Sequence, residues 1–373
     1  MKVLYILPRN MHFGKRLATS IDLCCRDIIA SSVFHDTTHV LASQTEEWFT
    51  GFTVHGFPPA MDLSTRARSI YAANFIKELQ PDVVVVQQHL PSASAIARKV
   101  PNTPVILQRH NFQKAIKGAI WLGHFRRALK VRSYSPLAGI THVSEACDQR
   151  FAADWPEVTC PRAVVPNGFP PSHWQPADTR AQEILCVGRS APEKGILEAA
   201  QAVSMLLPEL PDWRARFILS NVDTHPDYHR QVLNALGPVL NRATIEVQVP
   251  HNDVVAATER AAIALIPSKW DEPFGRTALE AHAGGAAVIS SGTGGLREVS
   301  GDNALFINDV KPETLVDACR KLIADQPLRE ALGQRGHEHV VKHFSISAVT
   351  AIADNFLTKI CGAHPATSKP IAA

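Results

Sequence analysis

The chain has 373 residues, of which 45% are hydrophobic and 20% are charged, and its net charge is +3. This length suits two domains of roughly 150–200 residues each, and the composition is typical of globular proteins with a full apolar core. The small net charge argues against a nucleic-acid partner, because a basic surface would have to be local. The absence of any long, uninterrupted apolar run predicts that no helix spans a membrane.

The seven cysteines form an odd set without any Cys-x-x-Cys pair. We therefore expect reduced, mostly buried thiols and a cytoplasmic protein. The first apolar run, residues 3–7, is too short for a signal peptide and predicts a first strand.

The N-terminal half alternates apolar strands with stretches of helical periodicity. Strands are predicted at 3–7, 38–42, 52–55, 83–87, 104–108 and 139–143, and helices at 17–30 and 65–79. Strands this apolar, separated by helices, indicate a parallel sheet that is covered on both faces. Ligands of such sheets bind beyond the carboxyl ends of the strands, and His89, His110 and Ser144 lie at such ends.

A proline-rich segment that begins near Pro166 divides the chain. The expected organisation is an N-terminal acceptor-side domain at 1–168, a linker at 169–179, a C-terminal nucleotide-sugar domain at 180–345, a helix at 346–362 that returns to the N-terminal domain, and a disordered tail at 363–373. Within the second domain, strands are predicted at 183–188, 215–219, 244–247, 262–266 and 287–290, and helices at 196–207, 229–236, 253–260, 277–283, 312–324 and 328–343.

Two carboxylates bracket the turn after the strand predicted at 262–266. Glu272 lies in a turn that contains Pro273 and Gly275, and Glu280 lies in the helix that follows. A strand, a glycine-containing turn and a helix direct backbone N–H groups at an anion. Together with the carboxylates, these groups suit a ligand with phosphates at one end and hydroxyls at the other, such as a nucleotide sugar. An ordinary βα unit with a solvated acidic helix remains the alternative.

A second loop of the same kind follows the strand predicted at 183–188. Gly188 is expected to permit a tight exit from the strand, and Arg189 and Lys194 place two cations in one short loop before Gly195. Arginine supplies a hydrogen-bonding fork and lysine a mobile charge, which suits a diphosphate. The loop matches neither the dinucleotide fingerprint nor the P-loop, and a solvated βα loop is the competing interpretation.

Taken together, these segments resemble the retaining glycosyltransferases of family 4, also called glycosyl transferases group 1. Their GT-B fold has two Rossmann-like parallel-sheet domains that face a central cleft. The matching positions are Gly14, His110, the segment Thr141 to Ala146, the segment Val165 to Gly168, Arg189 with Lys194, Glu272 with Glu280, and Gly294 to Glu298. The chain departs from the family at His12-Phe13, where a glycine pair is usual, and at Arg276-Thr277, where an apolar pair is usual.

The resemblance implies a retaining hexosyltransferase with a front-face mechanism. Its donor would be a nucleoside-diphosphate sugar, a UDP-sugar rather than a GDP-sugar, and its acceptor a hydroxyl of a cell-envelope glycan or glycolipid such as a lipopolysaccharide core. The base would lie near the segment Val247 to Pro250. His110 and Glu272 would be catalytic, and the donor would be bound by Gly14, Gly188, Arg189, Lys194, Phe274, Gly275, Arg276, Thr277 and Glu280.

No Asp-x-Asp motif occurs in the chain. We therefore expect no metal and no cofactor. Arg189, Lys194 and the N–H groups of Gly275 to Thr277 would stabilise the departing diphosphate instead, and one well-placed donor of this kind is worth about 3–4 kcal/mol in the transition state.

The segment from Lys114 to Arg132 contains six lysine and arginine residues among apolar ones such as Trp121 and Phe125. This composition is typical of a helix that contacts an anionic membrane surface, and a solvated basic face fits it equally well. Two rival functions are a non-catalytic nucleotide-sugar-binding module and a GT-B nucleotide-sugar epimerase. The complete set of site residues argues against the first, and the lack of a further acid/base carboxylate set argues against the second.

Overall fold

The computed structural model describes residues 1–16, 19–113, 115 and 120–364, and the chain divides into two units. The N-terminal unit comprises Met1–Gly168 together with the segment that begins at Ile346, and the C-terminal unit comprises Phe169–Ser345. Residues 169–179, predicted as a linker, therefore belong to the C-terminal unit, in which Phe169 and Trp174 are buried. Residues 365–373 of the predicted tail lie outside the described residues.

The N-terminal unit is built on a parallel sheet of seven strands in the order β3-β2-β1-β4-β5-β6-β7. The strands are β1 Val3–Ile6, β2 Thr38–Ala42, β3 Thr53–Gly56, β4 Val83–Gln87, β5 Val105–Arg109, β6 Gly139–His142 and β7 Arg162–Val164. The helices are α1 Ser20–Ser31, α2 Thr65–Leu79, α3 Leu90–Lys99, α4 Ile120–Tyr134 and α5 Glu145–Asp154. Every residue of β1, β4 and β5 is buried, as expected for strands covered on both faces.

The C-terminal unit repeats this plan with six parallel strands in the order β10-β9-β8-β11-β12-β13. The strands are β8 Ala181–Arg189, β9 Arg214–Ser220, β10 Ala243–Val247, β11 Ala261–Ile266, β12 Ala287–Ser290 and β13 Ala304–Phe306. The helices are α6 Ile196–Leu206, α7 Pro226–Leu236, α8 His251–Arg260, α9 Arg276–Ala283, α10 Leu296–Ser300, α11 Pro312–Ala324 and α12 Gln326–Phe344. The predicted pair of parallel-sheet, Rossmann-like units is confirmed.

The last helix, α13 Ile346–Ala363, packs within the N-terminal unit. Its Phe356, Leu357 and Ile360 join the apolar cluster beneath β1 and β4. Its buried Asp354 accepts hydrogen bonds from the Ser32 hydroxyl (2.7 Å) and the Val33 N–H (3.0 Å) at the end of α1. The apolar face and the buried carboxylate together hold α13 on this sheet.

Within the described ranges, no helix combines the length and apolar composition that a membrane span requires. All seven cysteines lie in those ranges, and no disulfide bond joins any of them.

The helix α9 contains a buried histidine that cannot easily be protonated. His282 is fully buried, its Nε2 lies 3.0 Å from the Ser300 hydroxyl, and its Nδ1 has no hydrogen-bond partner among the described residues. A Cβ added to Gly336 on α12 would lie 2.2 Å from that Nδ1, so the helices enclose the ring closely. Burial, with the nearby His339, lowers the pKa of His282 to about 3.

This pKa predicts that the C-terminal unit loses stability in acid. The unfolded chain protonates His282 below pH ~6.5, whereas the folded chain keeps it neutral until about pH 3. The stability that neutral His282 contributes to the folded state is therefore complete above pH ~6.5 and is lost as the pH falls from there to about 3. Urea unfolding at several pH values should show that His282→Gln reduces the slope of stability against pH by up to ~1.4 kcal/mol per unit. The exposed His173→Gln is the control, and an equal effect of both substitutions would contradict the assignment.

Candidate functional site

The chain order of the C-terminal sheet reverses between β8 and β11, and a cleft of about 250 Å³ opens at this point. Gly188 and Arg189 line the cleft from the end of β8, and Pro267 and Ser268 line it just beyond β11. In open parallel sheets, ligands bind at such a reversal, outside the carboxyl ends of the strands. The topology therefore places a ligand site where both predicted loops begin.

A buried ion pair joins the two loops inside the cleft. Lys194 Nζ lies 2.5 Å from Glu272 Oε1, and the Ser268 hydroxyl donates to the same oxygen at 2.8 Å. Glu272 is only 6% exposed, so its charge depends on these two donors. The structure thus brings together two residues that lie 78 positions apart in the sequence.

Close backbone contacts fix the positions of the two loops. Gly195 has a φ of +68°, and a Cβ there would lie 1.9 Å from the carbonyl oxygen of Pro267. Gly294 has a φ of +57°, and a Cβ there would lie 2.2 Å from the carbonyl oxygen of Glu272. The Gly295 N–H also donates to that Glu272 oxygen at 2.7 Å. Glycine is required at 195 and 294 because other residues rarely adopt positive φ and because no space remains for a side chain.

The turn after Glu272 ends at the N-terminus of α9. Gly275 precedes the helix with a φ of +104°, and its carbonyl accepts from the N–H groups of Ala278 (3.0 Å) and Leu279 (3.1 Å). Thr277, in the first turn of α9, lines the cleft. The positive end of the helix dipole therefore lies at the cleft, as the anion-binding interpretation expects.

Glu280 lies one turn further along α9 and is held by two cationic or potentially cationic side chains. Its Oε1 accepts from Arg276 Nη2 at 3.0 Å and lies 3.3 Å from His251 Nε2. Burial alone would raise the pKa of Glu280, but the hydrogen bond from His251 and the charge of Arg276 outweigh it, so the pKa is lowered. Arg276, which was expected to bind the donor, thus bonds to Glu280 along its own helix.

Arg189 and the expected base segment also line the cleft. The Arg189 side chain is 42% exposed, and its Nη2 donates to Glu193 Oε1 at 3.1 Å. Gln248 and Val249, from the segment expected near the base, lie in the same wall of the cleft. The backbone of Gln248 adopts a φ of +53°, and its N–H donates to the Leu219 carbonyl at 2.9 Å.

Two predicted residues differ from their expected local roles. Gly188 lies within β8, and a Cβ there would make an ordinary contact 3.5 Å from Ile196. The expectation of a tight exit from the strand at Gly188 was therefore wrong. The left-handed turn occurs at Gly195 instead. Phe274 is buried, and its ring centroid lies 5.6 Å from that of Phe344. Phe274 can therefore contribute to a ligand site only through its backbone.

The N-terminal unit contains His110 and Gly14. The Nε2–H of His110 donates to Gln87 Oε1 at 2.7 Å, and Gln87 Nε2 donates in turn to Gln108 Oε1 at 2.9 Å, which sets the amide orientation and the histidine tautomer. Burial, and then the neighbouring Arg109, lower the pKa of His110 to about 4, so the imidazole is neutral at pH 7. A neutral ring in this tautomer presents Nδ1 as an acceptor.

Gly14 meets a close backbone neighbour. A Cβ on Gly14 would lie 2.4 Å from the carbonyl oxygen of Glu47, and the Lys15 N–H donates to that oxygen at 3.2 Å. Packing against residues 47–48 is therefore sufficient reason for a glycine at position 14.

Sequence reasoning missed three groups that hold the predicted residues. Ser268 supports Glu272, His251 supports Glu280, and Gln87 orients His110. Ser268 and Gln87 lie at the carboxyl ends of β11 and β4, the positions where polar residues of a parallel sheet meet ligands, and that signal could have identified them. His251 had no comparable signal because its partner lies in another helix.

Residues 173–339 match the model of the family described as glycosyl transferases group 1. The matched residues lie within the C-terminal unit, Phe169–Ser345. The match covers both loops of the cleft, from Arg189 and Lys194 to Glu272 and Glu280.

The chain is similar to a D-inositol 3-phosphate glycosyltransferase of Corynebacterium glutamicum, 30% identical over 51% of this chain and 49% of the relative. A glycogen synthase of Mycobacterium tuberculosis is 29% identical over 52% of this chain and 48% of the relative. The chain thus spans about half the length of these curated relatives.

Solved structures extend the likeness to both units. A sucrose-phosphate synthase of Thermosynechococcus elongatus matches with a TM-score of 0.75 and 15% identity over 97% of this chain and 100% of that chain. Anabaena HepE, in a complex with UDP, matches with a TM-score of 0.73 and 16% identity over 96% of this chain and 100% of that chain. At such low identity the likeness shows the GT-B fold.

The close contact at Gly195 predicts a specific loss of stability. Gly195→Ala should destabilise the C-terminal unit by about 1–3 kcal/mol, because the methyl group would strain a left-handed backbone and displace Pro267. Gly237→Ala is a matched control, since Gly237 has a right-handed backbone and open space around its Cβ position. It should be neutral or stabilise by roughly 0.4–1 kcal/mol. Equal losses in urea unfolding would contradict the steric argument.

Proposed function

We propose that the protein is a retaining glycosyltransferase that moves a hexosyl group from a nucleoside-diphosphate sugar, a UDP-sugar rather than a GDP-sugar, to a hydroxyl of a cell-envelope glycan or glycolipid. The observation that carries this proposal is the Lys194–Glu272 pair in the cleft between β8 and β11. It places a cation for a diphosphate beside a carboxylate for sugar hydroxyls. The family match and the names of the relatives support the same reaction class.

The cleft residues have distinct proposed tasks. Lys194 uses one N–H for Glu272, and its remaining N–H groups, with Arg189 and the N–H groups at the start of α9, bind the diphosphate. Glu272 Oε1 is occupied by Lys194 and Ser268, so Oε2 accepts from a hydroxyl of the donor sugar. Glu280 accepts from the ribose hydroxyls, and its lowered pKa keeps it ionised at pH 7.

The proposed reaction follows a front-face path. The bond from the anomeric carbon to the diphosphate oxygen breaks, the bond to the acceptor oxygen forms on the same face, and the acceptor proton passes to the departing phosphate oxygen. Lys194 and Arg189 stabilise the charge of that oxygen, so we propose that the reaction needs no metal. His110, neutral because its pKa is low, positions the sugar ring through a hydrogen bond without adding charge.

A donor screen in EDTA tests this function. We expect the purified protein to release nucleoside diphosphate slowly from one UDP-sugar and to transfer that sugar to an acceptor extract at a higher rate. Turnover that requires a divalent metal would contradict the metal-free mechanism. Binding of a donor without any turnover, even with acceptor extract, would favour the binding module, and a changed sugar in the recovered nucleotide would favour an epimerase.

Substitutions in the two units test the residue assignment. Glu272→Gln and His110→Ala should each lower the transfer rate by about 10²-fold or more, since each removes an interaction with the reacting sugar. Glu313→Gln, on the exposed side of α11, is the control and should leave the rate unchanged. Near-full transfer rates in both site variants would refute the assignment.

We also propose that the N-terminal unit contacts anionic membrane through α4. Phe125 and Leu129 are 61% and 50% exposed and lie four residues apart on one face of this helix, beside the exposed Arg126 and Arg132. Exposed apolar side chains flanked by arginines suit the boundary of an anionic bilayer. Residues 114 and 116–119 of the predicted segment lie outside the described residues.

Flotation with liposomes tests the membrane contact. The protein should float with vesicles that contain anionic lipid, and binding should weaken at high salt because it depends on Arg126 and Arg132. The double substitution Phe125→Ser and Leu129→Ser should reduce flotation severalfold. Leu63→Ser with Leu240→Ser removes two other exposed leucines and serves as control. Binding that is absent, or equal in both double variants, would exclude α4 as the contact.

A further inference from the structure

A second cavity lies across the C-terminal sheet from the cleft. Its volume is about 610 Å³, within the range of roughly 300–1,000 Å³ that small-molecule sites occupy. Gln182 near the start of β8, Ala262 near the start of β11 and Gly285 just before β12 line it. The cleft lies at the carboxyl ends of β8 and β11 and shares no lining residue with the second cavity. The two are therefore separate sites at opposite edges of one sheet.

Two glycines fix the wall of the second cavity. Gly285 has a φ of +75°, and a Cβ there would lie 2.3 Å from Arg180 Nη2. A Cβ on Gly333 of α12 would lie 2.4 Å from the carbonyl oxygen of Gly285. Arg329 lines the cavity one turn before Gly333, on the same face of α12. These contacts bring two arginines from distant segments to one cavity.

Backbone carbonyls hold the Arg180 side chain in a fixed orientation. Its Nη1 donates to the carbonyls of Thr258 (3.3 Å) and Ala261 (3.2 Å) at the end of α8, and its Nη2 donates to the Gly284 carbonyl at 2.7 Å. Burial lowers the pKa of Arg180 more than the charge of Glu259 raises it. Within the described residues no carboxylate forms an ion pair with this half-buried guanidinium, and no hydrogen bond uses its Nε.

Arg329 is held in a similar way. Its Nη1 donates to the carbonyls of Leu322 (2.6 Å) and Ile323 (3.2 Å) in the last turn of α11, and its Cζ lies 5.5 Å from the centroid of the Trp213 ring. Burial lowers its pKa although neighbouring carboxylates raise it. In the part of the chain that the structure describes, neither Nε nor Nη2 of Arg329 donates a hydrogen bond, and the side chain makes no ion pair. The second cavity thus has two fixed guanidinium groups with donors to spare.

Hydrogen-bond acceptors accompany these cations. Asp178 and Glu330 are exposed residues of the same lining. His337 Nδ1 donates to the Ala283 carbonyl at 2.8 Å, so the neutral ring leaves Nε2 as an acceptor. Carboxylates and an imidazole nitrogen accept from hydroxyl groups. Half-buried cations with more exposed acceptors suit a ligand that has an anionic group at one end and hydroxyls at the other.

We propose that the second cavity binds a small phosphorylated polyol, such as a sugar phosphate. Its phosphate would contact Arg180 and Arg329, and its hydroxyls would contact the acceptors just named. The planar arginine fork matches phosphate oxygens, and guanidinium groups already fixed by carbonyls lose little freedom on binding. The inference does not depend on the proposed function, because the second cavity lies outside the cleft.

Calorimetric titration of the full chain tests the second cavity. The probes are glucose 6-phosphate, inorganic phosphate and glucose. We expect glucose 6-phosphate to bind more tightly than either of the others, since only it has both a phosphate and hydroxyls. Equal affinity for inorganic phosphate would overturn the role of the acceptors, and equal affinity for glucose would overturn the role of the arginines. No binding of glucose 6-phosphate would overturn the proposal as a whole.

Arginine variants locate the bound ligand. Arg329→Gln should weaken glucose 6-phosphate binding by about tenfold or more, because it removes a charged donor. Arg335→Gln, an exposed arginine of the same helix outside the lining, is the matched control and should have no effect. Arg189→Gln, in the cleft, should also leave this binding unchanged. A loss of binding in Arg189→Gln with none in Arg329→Gln would assign the ligand to the cleft and overturn the proposal.

A second variant keeps the test decisive if Arg329→Gln fails to fold by circular dichroism. Gln334→Glu adds a carboxylate to the exposed part of the lining and should weaken glucose 6-phosphate binding severalfold by repulsion. Gln231→Glu makes the same change on the exposed face of α7, outside the lining, and should not. Equal binding in these two variants would contradict the proposal. Neither titration uses a donor or an acceptor, so its failure is distinguishable from a failure of the proposed function.

Discussion

The ion pair between Lys194 and Glu272 is the interaction on which the C-terminal site depends. Each residue belongs to a different loop, and the 2.5 Å contact within the cleft requires both loops to approach closely. Removing one partner would leave a buried charge uncompensated, which typically costs about 3–5 kcal/mol. The pair therefore links local stability to chemistry, because the side chains that hold the loops together are also the ones available to a diphosphate and a sugar hydroxyl.

That approach is possible only because three glycines remove side chains from the contact. Gly195 lies against Pro267, and Gly294 and Gly295 lie against the turn that contains Glu272. Glu272 then accepts hydrogen bonds at two places. Its Oε1 accepts from both Lys194 and Ser268, and its backbone carbonyl accepts from the Gly295 N–H. A loop fixed on both its backbone and its carboxylate holds the acidic oxygen in place before any ligand binds, which is the preorganisation that electrostatic stabilisation requires.

The sequence allowed the two sheets and the two loops that line the cleft to be predicted, because their signals are local. The apolar runs of β4 and β11 indicate buried parallel strands, and a glycine-containing turn before α9 indicates an anion site. What escaped prediction depends on contacts between distant segments, such as those of His251 with Glu280 and of Gln87 with His110. The short strands β7 and β13 were also missed, since three residues carry too little periodicity to be distinguished from loops.

The two units differ in how they balance charge, and this difference has a physical consequence. In the C-terminal cleft each principal cation already has a carboxylate partner: Lys194 has Glu272, Arg189 has Glu193 and Arg276 has Glu280. A diphosphate must share these cations, so its binding relies on donors that remain after the internal pairs are made. Arg109 of the N-terminal unit, by contrast, is buried and has no carboxylate partner within the described ranges. Since buried charges are screened less than exposed ones, the Lys194–Glu272 pair should persist at salt concentrations that weaken the contacts of the more exposed Arg189.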